Sequence, residues 1–232
     1  MVGPMREIIF DVETTGLRAR DGDRICEIAA VEMVDYVPTG ATFHEYVNPT
    51  ITMPPEAEKV HGLSDAFLAD KPLFDSIADK WVDFIGTDRL VAHNAMFDFG
   101  FVNAELERCD LQPMSFERMI DTVAIARRKF PGSDNSLDAL CVRFGIDLSA
   151  RTKHNALLDT QLLADVYVEL IGARQTAMRF GENTATRLAA DAPLAERARP
   201  LQRLVSEEEE AAHAAFLETL GEDAIWNRYI KN

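Results

Sequence analysis

A short apolar run, Glu7-Ile8-Ile9-Phe10, stops on two acids, Asp11 and Glu13, and this junction constrains the fold of the 232-residue chain more than any other feature. A run of this length and character reads as a buried strand. The strand period of two puts the Asp11 and Glu13 side chains on one face at the strand end. Either this strand end is solvated or, since carboxylates are costly to bury alone, the fold brings partners to it. Two distant segments offer candidates: His93-Asn94-Ala95-Met96-Phe97-Asp98 and His154-Asn155-Ala156-Leu157-Leu158-Asp159.

The elements between these motifs are legible from patterning. Ile25 to Val37 alternates with β-branched residues and predicts a second strand. Thr42 to Val47 predicts a third, after a Pro38-Thr39-Gly40 turn. Short connections make these three strands an antiparallel meander. Apolar spacing from Leu73 to Ile85 is helical, and Arg89-Leu90-Val91-Ala92 is a short strand followed by a helix from about Phe97 to Arg108. Met119-Ile120 leads into a helix started by Asp121-Thr122 and continued from Val123 to Arg128. Ser136 caps a helix through Phe144 that Gly145 ends, and Asn155 caps a long helix to about Ile171. The order β-β-β-α-β-α-β-α-α-α predicts an α/β fold. Three antiparallel strands are joined by parallel ones in a mixed sheet flanked by helices, the order of a ribonuclease-H-like fold.

After Gln175 the character changes. Residues 181–200 are rich in Ala, Arg, Thr and Pro without apolar periodicity and read as a linker. Residues 206–220 read as a short amphipathic helix, with a serine cap and acids in its first turn, followed by Trp226 and Tyr229. The expected division is a domain over 1–174, a linker over 175–200 and a tail over 201–232. The tail either docks back on the domain or binds a partner.

Composition narrows the class. A hydrophobic content of 47% suffices for one good-sized core plus an appendage. No apolar run reaches the roughly 18 residues that cross a membrane, and the N-terminus lacks a secretory pattern. The three cysteines, Cys26, Cys109 and Cys141, fit neither a zinc site nor a disulfide framework and read as reduced, buried thiols in a cytoplasmic protein. The net charge of −15 disfavours a stand-alone duplex binder. It is compatible with a nuclease that uses divalent cations, grips a few nucleotides and receives its substrate from a partner.

The acids suit such chemistry. Asp11 and Glu13 form a paired carboxylate of the kind that binds Mg²⁺ or Mn²⁺. Asp98 follows a strand end, where open α/β sheets hold ligands. Asp159 lies one turn into a helix beside its apolar stripe, and His154, just before the Asn155 cap, is free on the loop to lean toward the same site. Taken together they offer acids for two cations about 4 Å apart and a histidine to activate water.

In this order and spacing the residues resemble the DEDDh exonuclease superfamily, over about residues 5–174, with His154-x-x-x-x-Asp159 as its third motif. The resemblance implies a 3′→5′ exonuclease that releases mononucleotides. It implies that Asp11, Glu13, Asp98 and Asp159 are metal ligands, with Asp11 bridging two ions, and that His154 is the base. Pro55 to Leu63 is similar to the segment lining the 3′-terminal nucleotide pocket in the branch that proofreads for bacterial replicative polymerases. Glu56 and His61 are carried over as nucleotide contacts, beside the acids Asp11, Glu13 and Asp159, with Thr14 and Thr15 as nearby donors. Gln175-Thr176-Ala177-Met178-Arg179-Phe180 resembles that branch's sliding-clamp peptide, and the Glu-rich helix with Trp226 resembles its docking tail for the polymerising alpha subunit. The implied partners are a frayed or single-stranded DNA 3′ end, the alpha subunit, the clamp and, in some polymerase cores, a small theta-like subunit. An RNA-processing relative and a catalytically silent scaffold are the alternatives.

Overall fold

The computed structural model describes residues 4–151, 153–173 and 205–219, and the chain divides into two units, Met1–Glu182 and Asn183–Asn232. The first unit is built on a five-stranded sheet of order β3-β2-β1-β4-β5. The strands are β1 (Arg6–Thr14), β2 (Ile25–Val34), β3 (Val37–Tyr46), β4 (Arg89–Ala92) and β5 (Met119–Asp121). Its main helices are α3 (Phe74–Ile85), α4 (Ala95–Arg108), α5 (Thr122–Lys129), α6 (Leu137–Phe144) and α7 (Ala156–Ile171).

The central strand β1 is antiparallel to β2 along its whole length but parallel to β4 only from Glu7 to Ile9. Its C-terminal half therefore outruns β4 and leaves a free edge, the kind of position at which open sheets collect ligands. The alternation of β1 sorts its side chains between two layers. Ile8, Phe10 and Val12 enter the larger core with Trp81, Phe99 and Val102 from α3 and α4. Phe10 packs against Trp81 and Phe99 with ring centroids 5.6 Å away in each case. Ile9 joins Leu163, Tyr167 and Val168 of α7 on the opposite layer. Asp11 and Glu13 share the parity of Ile9, so β1 turns them toward the helix that carries Asp159.

The β2–β3 connection differs from the sequence expectation. β2 ends at Val34, not Val37, and the turn is Asp35-Tyr36, with φ of 49° and 66°. Two consecutive positive φ values give the primed turn whose twist matches a hairpin. A tyrosine is an unusual choice there, but its ring packs edge-on against Tyr167, 6.3 Å between centroids. Pro38 consequently lies inside β3, which tolerates it because β3 is the sheet edge.

Two short helices, α1 (Pro55–His61) and α2 (Asp65–Leu68), occupy the segment read as a nucleotide-pocket element. α1 begins with a proline in its first turn and ends on Gly62 at φ 82°. A Cβ on Gly62 would lie 2.9 Å from Lys153 Cδ, so the missing side chain lets the α6–α7 loop rest on α1. The His154 N–H donates to the Val60 carbonyl at 3.3 Å and completes that contact.

In the second unit, α8 (Glu207–Thr219) is started by a reciprocal cap. Glu209 N–H donates to Ser206 Oγ at 3.3 Å, and the Glu209 carboxylate accepts from Ser206 N–H at 2.9 Å. The clamp-like peptide Gln175–Phe180, the linker 181–200, Trp226 and Tyr229 lie outside the described residues. Among the described residues no helix is long and apolar enough to cross a membrane. Cys26 and Cys141 are buried, Cys109 is partly buried, and all are free thiols.

Candidate active site

Asp98, in the first turn of α4, is 2% exposed, and its Oδ1 accepts the Val12 N–H at 3.3 Å. This bond is available because β4 has already left the β1 edge at that point. It locks Asp98, the third acid, against the backbone between the first two. Burial, then the neighbouring Asp11, pushes the Asp98 carboxyl well above its usual range, against the pull of its backbone donors. Asp11 is likewise driven well up, by burial first and then by Asp159 and Glu27.

Glu13, 7% exposed, is pushed up to about 9 by burial and by the charges of Asp11, Asp159 and Glu27. Its Oε1 is buried without a hydrogen-bond partner. A buried carboxylate oxygen left open is costly and needs a cation or a proton. Ligand atoms of Glu13, His154 and Asp159 all lie within 4.8 Å of one another. The carboxylate oxygens of this set suit a hard divalent cation, so these residues fit a divalent metal ion.

The third motif reaches the site because Asn155 stops the loop and starts α7. Asn155 Oδ1 accepts the Leu158 N–H at 3.0 Å, placing Asp159 in the first turn and His154 outside the helix. His154 Nδ1 lies 3.4 Å from Asp159 Oδ2, and the ring is 52% exposed. A cleft of about 300 Å³ is lined by Asp11, His93, Asp138, Arg151, His154 and Asp159. The structure therefore gathers Asp11, Glu13, Asp98, His154 and Asp159 at one end of β1.

A second, largely apolar cleft of about 550 Å³ adjoins Glu13 and is walled by Thr14, Leu17, Glu56, Ala57, His61 and Phe97, among others. Glu56 stands on its exposed rim and His61 is buried. Leu63 N–H donates to His61 Nδ1 at 3.0 Å, Nε2 lies 3.9 Å from Cys26 Sγ, and burial lowers the imidazole below its usual range. The hydroxyls of Thr14 and Thr15 are not free donors as expected. Thr14 donates to the Gly16 carbonyl at 2.6 Å, and Thr15 Oγ1 accepts from Arg24 N–H at 3.0 Å and lies 3.4 Å from Asp23. Gly16 has no room for a Cβ, which would collide with the Asp23 carboxylate.

Two residues of the site escaped sequence reasoning. Glu27, fully buried on β2 and in register with Glu13, accepts from Asn155 Nδ2 at 2.8 Å and sits 2.8 Å from His44 Nε2. An acid inside the apolar run Ile25-Cys26-Glu27-Ile28 was the available signal. Arg151 forks onto Asp159, Nε to Oδ1 at 2.6 Å and Nη2 to Oδ2 at 2.8 Å. That loop arginine carried no sequence signal. Burial alone would raise Asp159, but the fork and His154 outweigh it and hold the carboxyl below its usual range.

Residues 8–167 match the family model described as exonuclease. The chain is 42% identical to the DNA polymerase III subunit epsilon of Escherichia coli (strain K12), over an alignment covering 95% of this chain and 97% of that protein. It is 52% identical to the subunit of that name from Rickettsia conorii, covering 78% and 80% of the two chains. Among solved structures, exonuclease X in complex with 5′-overhanging duplex DNA superposes with a TM-score of 0.58 at 28% identity, covering 72% of this chain and 91% of that one. The nuclease domain of 3′hExo, a DEDDh family member bound to rAMP, shares the ribonuclease-H-like fold with a TM-score of 0.63 at 19% identity, over 73% and 92% of the chains. The chain belongs to the exonuclease family and, within it, to the epsilon subunits of DNA polymerase III, the metal-dependent proofreading 3′→5′ exonucleases.

Proposed function

We propose that Asp11, Glu13, Asp98 and Asp159 hold two divalent cations, Mg²⁺ or Mn²⁺, and that His154 is the general base. The reaction is hydrolysis of the last phosphodiester at a single-stranded or frayed DNA 3′ end. One observation carries this reading: His154 and Asp159 converge on Glu13, whose buried oxygen no protein donor satisfies, while Asp98 of a third motif bonds the adjacent Val12 N–H. When bound, the cations neutralise phosphate charge and stabilise the leaving 3′ oxygen.

The chain's own groups do the rest. Asp159 orients His154 through the Nδ1 contact, leaving the exposed part of the ring to take a proton from water. The apolar cleft accepts the terminal nucleotide between Leu17, Phe97 and Ala57, with Glu56 and His61 contacting it. Asp11, Glu13 and Asp159 would hold the cations that face its phosphate. A mismatch lowers the few kcal/mol needed to unpair the end, so frayed termini enter first.

The remaining organisation belongs to this reading. Residues 1–174 form the exonuclease domain, and 175–200 tether it with Gln175–Phe180 as a sliding-clamp peptide. Residues 201–232 dock on the alpha subunit of a cytoplasmic polymerase, with a small theta-like subunit as a third member of the core. The tethered arrangement explains how a chain of charge −15 meets DNA, since partners deliver the primer end. Digestion of a 3′-mismatched primer with Mn²⁺ tests the site. Asp11→Ala and Asp159→Ala should keep the wild-type circular dichroism spectrum and release no mononucleotide; wild-type turnover in either would refute the assignment.

A further inference from the structure

The chemistry above makes no use of Arg151, yet Arg151 is the most heavily engaged side chain of the site. It is only 9% exposed, and its fork occupies both oxygens of Asp159. Nη1 bonds Asp138 Oδ1 at 2.7 Å, and Nη2 lies 3.1 Å from His154 Nδ1. Asp138, by contrast, is 58% exposed and stands at the cleft rim. The guanidinium thus links a buried acid to an exposed one.

A permanent charge in that position has consequences. A forked guanidinium is the strongest protein partner a carboxylate can have. It uses the lone pairs that a cation on Asp159 would need. A guanidinium and a divalent cation on the same carboxylate also repel, since charges a few ångströms apart interact strongly away from bulk water. One of the two must yield. Asp138 gives Arg151 a second anchor that does not depend on Asp159.

We propose that Arg151 is an exchangeable counter-ion: it neutralises Asp159 and steadies His154 in the metal-free protein, and releases Asp159 to a divalent cation while remaining tethered to Asp138. Arg151 is then a positioning residue that sets the threshold for metal loading. This inference rests on the proposed metal site. It makes two opposed effects inseparable. Removing the guanidinium weakens the resting protein, because acids are left uncompensated, and strengthens cation binding, because a competitor is gone.

Mn²⁺ titration of the full chain without DNA, followed by electron paramagnetic resonance and by melting in EDTA, tests it. Arg151→Gln should bind Mn²⁺ about tenfold or more tightly than wild type and melt lower in EDTA. Arg151→Lys, which keeps the charge and loses the fork, should fall between the two. Asp138→Asn, which removes the anchor that holds the released guanidinium, should bind Mn²⁺ more weakly than wild type. A guanidinium that merely packs the loop would lower melting and Mn²⁺ affinity together, and one that only grips DNA would leave Mn²⁺ affinity unchanged. Either result, in both Arg151 variants, overturns the proposal. Absence of Mn²⁺ binding in wild type as well as in the variants would overturn the metal site itself, and is distinguishable from both.

Discussion

Asn155 Nδ2 donates to the buried Glu27 Oε1 at 2.8 Å, across 128 positions of chain. The same amide's oxygen caps α7 through the Leu158 N–H. One side chain therefore fixes the meeting of β2 with the residue that separates His154 from the helix bearing Asp159.

Asn155→Ala should break both functions at once. Loss of the cap costs about 1 kcal/mol and loss of the amide donor to Glu27 Oε1, which keeps His44, about 1 more, so melting should fall by roughly 4–8 °C. Turnover should fall at least about tenfold, as His154 and Asp159 lose their common reference point. Calorimetry and primer digestion measure these, and a variant within about 0.5 kcal/mol of wild type would show that the bond does not position the loop.

Asp98 separates structure from charge. In Asp98→Asn the amide oxygen still accepts the Val12 N–H, and the repulsion from Asp11 is gone. The metal-free variant should be as stable as wild type or more so, while turnover drops by about 10² or more. Asp98→Ala should lose the bond and about 1–3 kcal/mol of stability. Urea unfolding of the pair in EDTA checks the contrast; equal destabilisation in both would mean that the carboxylate's charge, not its hydrogen bond, holds Val12.

The acids also fix a pH dependence. Glu13 is raised in the folded, metal-free protein from 4.5 to about 9, by burial and then by its acidic neighbours. A raised carboxyl contributes stability below its unfolded pKa and loses it as pH climbs toward the folded value. Metal-free melting should therefore decline between these limits, and Glu13→Gln should flatten the decline. Cation binding near neutral pH should release protons, measurable by calorimetry in buffers of different ionisation enthalpy. Asp159 behaves oppositely: its lowered carboxyl contributes stability that is lost on acidification. A melting curve that rises steadily toward alkaline pH in EDTA would contradict the buried-acid account.

Removing residues 200–232 should leave digestion of free oligonucleotides within about twofold of wild type, since every proposed ligand lies in the first unit. It should abolish co-purification with the polymerising subunit. Retained co-purification would overturn the assignment of the tail.

Much of this was legible in the sequence because local rules and global needs coincide. The strand ending at Asp11-x-Glu13, the caps at Ser136 and Asn155 and the stop at Gly145 each follow from short-range chemistry, and the structure forms them there. The hairpin turn was misread because Pro38 and Gly40 are strong turn residues, whereas the Asp35-Tyr36 turn depends on a ring contact with distant Tyr167. The convergence of the acids was inferred from motif order, but its instrument was not. Nothing local marks the Val12 N–H as the anchor of Asp98, or Glu27 as that of Asn155. Arg151 was invisible for the same reason: a loop arginine acquires meaning only from the carboxylate that folding sets against it.

Anomalous scattering from Mn²⁺ in crystals of the full chain tests the central claim most directly. The account predicts two sites, with carboxylate oxygens about 2.1 Å away, shared by Asp11 and completed by Glu13 and Asp159 on one side and by Asp98 on the other, with Arg151 turned from Asp159. Manganese bound elsewhere, or Arg151 still forked on Asp159 beside a fully loaded site, would contradict it.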